Sequence, residues 1–183
     1  MDADIVLPKN NEEEFVEIAS GLGFKKMYFL YDFDDYDEEK TAKKLESIKK
    51  HRNVSIETGF LVNQRNLSKA ARQSKMIIAK SSANDRAFIE SGNIKIIYGF
   101  EESNKKDHLH QRASGLNHIL CELAGKNNVA IGFSYSSLFN KGSAELSLIM
   151  GRMMQNIALC QKYKVKTIIG SFSEKPFDLR EYH

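Results

Sequence analysis

Two rhythms of apolar residues alternate along this chain. Short runs rich in β-branched and aromatic residues include Met27-Tyr28-Phe29-Leu30-Tyr31, Met76-Ile77-Ile78-Ala79 and Ile94-Lys95-Ile96-Ile97. Between them, apolar positions return every three or four residues, the spacing of one helix face. The runs predict strands near residues 3–7, 26–31, 54–62, 76–80, 94–98, 129–134 and 166–171. The slower rhythm predicts a helix over about 12–22, burying Phe15, Ile18, Ala19 and Leu22, with Asn11 placed to cap it and Gly23 to close it. A second helix follows the acidic Asp32–Asp37 loop and buries Thr41, Leu45 and Ile48. A long one over about 144–163 carries the stripe Leu146, Ile149, Met150, Met153, Ile157 and Cys160, with Arg152, Gln155 and Asn156 expected on a different, solvated side. In the helix after residue 115, Leu116, Ile119, Leu120 and Leu123 are expected in the core and Cys121 as a buried thiol.

Strands that alternate with helices imply a parallel sheet, and near-continuous apolar runs fit strands covered on both faces. The 183 residues suit one α/β domain spanning 1–183. A full eight-fold barrel usually takes about 250 residues, so seven strands in this length imply a small or incompletely closed one, and periodicity does not show whether the sheet closes. No apolar run approaches the roughly 20 residues of a membrane span. The acidic start Met1-Asp2-Ala3-Asp4 does not read as a signal peptide, and Cys121 and Cys160 lack CxxC or zinc spacing. A reduced, cytoplasmic setting is expected.

Charge changes the picture. The net +3 divides into 9 Lys/Arg against 14 Asp/Glu over residues 1–57, a balance of −5, and 18 against 10 over 58–183, a balance of +8. The basic part suits a polyanion, because cations placed on phosphates release condensed counterions. The densest chemistry lies in Lys106-Asp107-His108-Leu109-His110-Gln111-Arg112-Ala113-Ser114-Gly115, a polar loop running into a helix N-terminus, where Ser114 is placed to cap and anions dock readily. Arg112 either grips a phosphate there or pairs with Asp107 or Glu101 to pin the loop. Arg65, Lys69 and Arg72 form a further basic stripe. No nucleophile elbow, Walker loop or dinucleotide fingerprint occurs.

Three blocks in order carry a family resemblance: Arg112-Ala113-Ser114-Gly115-Leu116-Asn117-His118, Val129-Ala130-Ile131-Gly132-Phe133-Ser134, and Gly151-Arg152-Met153-Met154-Gln155-Asn156-Ile157 with Lys162-Tyr163-Lys164-Val165-Lys166. Asp4-Ile5-Val6-Leu7-Pro8 and Ser171-Phe172-Ser173 with Pro176 and Arg180 fit the same pattern, which resembles the archaeal ribonuclease P protein component 3 family. The resemblance implies a TIM-barrel-like α/β fold with outer helices. It also implies a role as a protein subunit of the ribonucleoprotein that removes the 5′ leader from precursor tRNA. The partners so implied are the RNase P RNA, precursor tRNA and a second small, component 2-like protein. Catalysis would belong to the RNA and its Mg²⁺, with no catalytic residue, metal site or cofactor on the protein. RNA contacts are expected at Lys105, Lys106, His108, His110, Arg112, Arg152 and Arg180. Family members continue past the Pro176–Arg180 region, whereas this sequence stops at His183, which bears on barrel closure. The alternative reading is a stand-alone metal-dependent phosphoesterase of the PHP type, suggested by His108-Leu109-His110. Against it, the first strand ends Leu7-Pro8-Lys9-Asn10 without a histidine.

Overall fold

A computed structural model describes residues 3–49, 53–104, 106–107 and 112–181. Seven strands are joined by right-sized helical crossovers: β1 (Ala3–Val6), α1 (Glu12–Gly21), β2 (Lys26–Asp32), α2 (Glu38–Lys49), β3 (Ser55–Val62), α3 (Leu67–Gln73), β4 (Ile77–Lys80), α4 (Asp85–Glu90), β5 (Ile96–Tyr98), α5 (His118–Asn127), β6 (Ala130–Ser134), α6 (Ser143–Lys162) and β7 (Thr167–Gly170). The strands lie in sequence order, every neighbouring pair parallel.

The sheet curls until its edges meet. The N–H of Leu7 donates to the Ser173 carbonyl at 2.9 Å, and the N–H of Phe172 donates to the Ile5 carbonyl at 2.8 Å. One bridge, Val6 to Ser173, marks this seam. Asp4 reinforces it from a buried position: Oδ1 accepts from the Ser171 N–H at 2.7 Å and Oδ2 from the Tyr135 hydroxyl at 2.7 Å. Burial raises the Asp4 pKa, opposed by those bonds. The result is a nearly closed, TIM-barrel-like α/β fold with one seam.

Inside the barrel, Ile5, Leu7, Leu30, Ile78, Ile96, Tyr98, Ala130 and Phe172 pack together, while the outer faces of the strands pack against the helices in two larger clusters. Phe172 adopts φ 48°, unusual for an aromatic residue, and stacks on Tyr98 with centroids 4.3 Å apart. That stack leaves no room beside β6. A Cβ at Gly132 would lie 2.9 Å from Tyr98 Cβ and 3.1 Å from Phe172 Cζ. Gly132→Val is therefore expected to destabilise the fold by about 1–3 kcal/mol through overpacking. A denaturant midpoint that does not move would show that the interior is slack.

Two local expectations fail for clear reasons. Asn11 precedes α1 but makes no capping bond, because its side chain is used to accept from the Lys9 N–H and to donate to the Glu174 carbonyl. Ile119 is 49% exposed, since α5 is rotated so that Cys121 and Ala124 face the core.

Candidate nucleic-acid interface

The polar face of α6 organises the segment between β5 and α5. A short 3-10 turn, Phe100–Glu102, follows β5, and Asp107 and Arg112–Ser114 bond to the middle of α6 before α5 begins. Arg152 is 3% exposed and lies in the same helical stripe as Ile149, Met153, Asn156 and Cys160. Its Nε and Nη2 donate to Asp107 Oδ1 at 3.0 and 2.8 Å. Its Nη1 donates to the carbonyls of Glu101, at 3.2 Å, and Ser103. The expected solvated side of α6 is thus in large part an internal clamp, and Asn156, 0% exposed, belongs to it. Asn156 donates from Nδ2 to the Ser114 carbonyl at 2.9 Å.

Asp107 is the other half of the clamp. Besides Arg152, it accepts from the Ala113 N–H at 2.9 Å and from Arg112 Nη1 at 3.3 Å. Partial desolvation works against its charge, yet the Ala113 bond and the two guanidinium groups hold its carboxyl below the usual range. Gln155 completes the frame. Its amide donates to the Arg112 carbonyl at 3.0 Å and to Ser114 Oγ at 2.7 Å, while Oε1 accepts from the Arg112 N–H at 3.2 Å.

Ser114 is consequently buried and is not the cap of α5. Asn117 caps it, accepting from the Leu120 N–H at 2.9 Å. Gly115, at φ 81°, lies against the backbone of its own chain: a Cβ there would meet the Phe100 carbonyl oxygen at 2.5 Å. Gly151 lets the Arg112 guanidinium lie flat on α6, since a Cβ would collide with Cζ. Arg112 is paired with Asp107, as one of the two readings expected, yet its side chain remains 45% exposed. A cation held from behind and open in front can still meet a phosphate.

Of the residues expected to touch RNA, the structure brings Arg112, Arg152 and the exposed Lys106 together around Asp107. Arg152 is placed behind this surface and shapes it. Lys105, His108 and His110 lie outside the described residues. Arg180 stands at the barrel mouth beside β6, with its guanidinium 4.5 Å from the Phe139 ring centroid and donating to the Phe177 and Leu179 carbonyls. Farther along, Arg65, Lys69 and Arg72 are exposed and have no carboxylate partner among the described residues. Lys80 and Arg86, by contrast, pair with Glu102 and Glu90 at 2.6 and 2.9 Å. Of the two acids named as possible partners of Arg112, Asp107 takes that role, while what the sequence did not reveal is that Arg152 is its main partner and that the carboxyl of Glu101 is buried.

Among the described residues, no three His, Cys, Asp or Glu side chains converge as metal ligands. No helix there is long and apolar enough to cross a membrane.

No protein-family model matches the chain. Ribonuclease P protein component 3 of Methanococcus maripaludis strain C7 is 25% identical over 182 residues, covering 93% of this chain and 77% of that protein. Over most of its length the chain is similar to archaeal ribonuclease P component 3 proteins. Component 3 of Methanocaldococcus jannaschii is 27% identical over 188 residues with the same coverage, and that of Methanococcus vannielii is 33% identical over 89 residues, 46% of this chain. Among solved structures, a chain of a cryo-EM structure of archaeal ribonuclease P with mature tRNA superposes with TM-score 0.80 at 20% identity, covering 97% of this chain and 77% of that one. The M. maripaludis and M. jannaschii proteins thus share sequence along nearly the whole chain, and the solved structure shares its barrel.

Proposed function

We propose that the chain is a protein subunit of an archaeal ribonuclease P, the enzyme complex that matures precursor tRNA at its 5′ end. The observation that carries this reading is the similarity to component 3 proteins over 93% of the chain. In this reading the subunit stabilises the catalytic RNA and cleavage is done by RNA-bound Mg²⁺, which clamps the attacking and leaving oxygens. Lys106 and Arg112, with Lys105 and Arg180, supply cations to RNA phosphates, His108 and His110 supply hydrogen-bonding groups, and Arg152 acts as a positioning residue that holds the Asp107–Arg112 surface in shape. A component 2-like protein and precursor tRNA complete the assembly, and a cytoplasmic setting follows from that work.

The test is cleavage of precursor tRNA by the cognate RNase P RNA, with and without this chain and the partner protein, across a Mg²⁺ series. RNA-dependent cleavage that shifts to lower Mg²⁺ on adding the proteins supports the reading. Cleavage by the chain without RNA would overturn it. Arg112→Ala is expected to weaken cleavage about five- to tenfold at limiting Mg²⁺, the loss of one charge-assisted contact, with its melting temperature almost unchanged. Wild-type cleavage by that variant would remove Arg112 from the interface.

A further inference from the structure

Beside the Arg152 clamp lies a cavity of about 780 Å³, bordered by Glu101, Lys106, Ser137, Leu148 and Ile149 among others. It opens past the carboxyl ends of β5 and β6, the end at which barrels of parallel strands hold their ligands. Its charged groups are matched, with one exception among the acids. Glu102 pairs with Lys80 at 2.6 Å, Asp107 with Arg152 at 2.8 Å, and Glu145 with Lys141 at 2.5 Å. Glu101, one of the lining residues, is 0% exposed, and neither of its carboxylate oxygens has a hydrogen-bond partner. Arg152 bonds to the backbone carbonyl of Glu101, leaving the carboxyl group unserved. The backbone N–H groups of Glu101 and Ser134 face that carboxyl without closing a hydrogen bond of normal geometry.

We propose that this cavity binds a primary alkylammonium group with Glu101 as its counter-ion. A carboxyl group withdrawn from water gains most from a cation that brings its own donors, and an ammonium brings three. The apolar walls of Leu148 and Ile149 suit a methylene stem. A divalent ion fits the surroundings less well, since it needs six or more oxygen ligands and no group of three metal-ligating side chains is present among the described residues. Glu101 lines the cavity yet is fully enclosed, so entry requires its covering to yield. The same chemistry is offered by a free polyamine and by a lysine of a bound protein.

The groups facing Glu101 set the pH dependence. Glu102 opposes its ionisation and Lys80 favours it, while Lys106, Asp107, Lys141, Glu145 and Arg152 surround the cavity. Burial pushes its carboxyl up to about 7, so binding tightens from pH 6 to pH 8 and releases a proton near neutrality. The test is calorimetric titration of the isolated chain with spermidine and, separately, with Nα-acetyl-lysine methylamide. Both pH values and buffers of different ionisation heat are used. Saturable binding is expected, at least about tenfold weaker in Glu101→Gln at pH 8, with proton release absent in the variant. Binding of both probes supports a general alkylammonium site. Binding of spermidine alone supports a polyamine, and of the lysine analogue alone a protein side chain. Equal affinity in Glu101→Gln, binding of neither probe, or displacement of spermidine by equimolar Mg²⁺ would overturn the proposal.

Discussion

Replacing Arg152 by alanine is expected to lower the melting temperature by roughly 6–12 °C, the equivalent of about 3 kcal/mol in a chain of this size. The loss comes from what the side chain leaves behind. Two backbone carbonyls, Glu101 and Ser103, lose a donor in a buried setting, and Asp107 loses two of its bonds. Asp107 is partly open to water, which keeps the loss below that of a fully enclosed pair. Arg152→Lys should recover only part of it, because a single ammonium cannot span Asp107 and both carbonyls as the planar fork does. Thermal unfolding of both variants checks this. An alanine variant that melts within about 2 °C of the wild type would mean that the clamp contributes little. The same variant should lose activity in the reconstituted particle more steeply than Arg112→Ala, since it frees the whole Asp107–Arg112 surface.

The second large effect has the opposite sign. Glu101→Gln is expected to raise the melting temperature above neutral pH. The ordinary pKa of this carboxyl is 4.5, and burial, with a contribution from Glu102, pushes it up to about 7 in the folded chain. Below 4.5 the group is neutral in both states and costs nothing. Between the two values the folded state keeps a proton that the unfolded state has lost, so stability falls as pH rises. Above about 7 the folded chain carries the buried charge and the loss is complete, roughly 3 kcal/mol. Glutamine keeps the shape of the neutral acid and removes the charge. The two proteins should therefore melt together near pH 4.5 and separate by several degrees at pH 8.5. A wild type that gains stability on the variant over that range would show that the carboxylate has found a cation in the folded chain.

The strand rhythm made most of the barrel legible. All seven strands lie where β-branched runs predicted them, and α1 and α6 begin and end within a residue or two of expectation. Apolar burial fixes such elements locally, which is why one sequence suffices to see them. Polar residues in the core are harder, because a partner distant in sequence decides whether their burial is tolerable. Arg152 and Asn156 fall at helical spacing from Ile149, Met153 and Cys160, so their stripe was readable in principle. Their charge and polarity argued for the surface until Asp107 and the Ser114 carbonyl came into view. Ile119 erred the other way, as an apolar residue that the rotation of α5 leaves outside. The seam was not legible at all, because its bonds join residues that have no pattern in common.

Those seam bonds constrain the order in which the chain can fold. Asp4 meets Ser171 across 167 residues and Ile5 meets Ser171 across 166, whereas each of the other strands pairs with its immediate predecessor. Strands can therefore be added one crossover at a time, but the first keeps an unsatisfied edge until the seventh has arrived. Closing so long a loop carries a high entropic cost, which is recovered only when the final contacts form. At ribosomal rates of about 5–20 residues per second, β1 would wait on the order of ten seconds for its last neighbour. An exposed strand edge is a template for unwanted pairing during that interval. The buried Asp4, which serves its own strand and the last one together, makes closure the cooperative final event of folding.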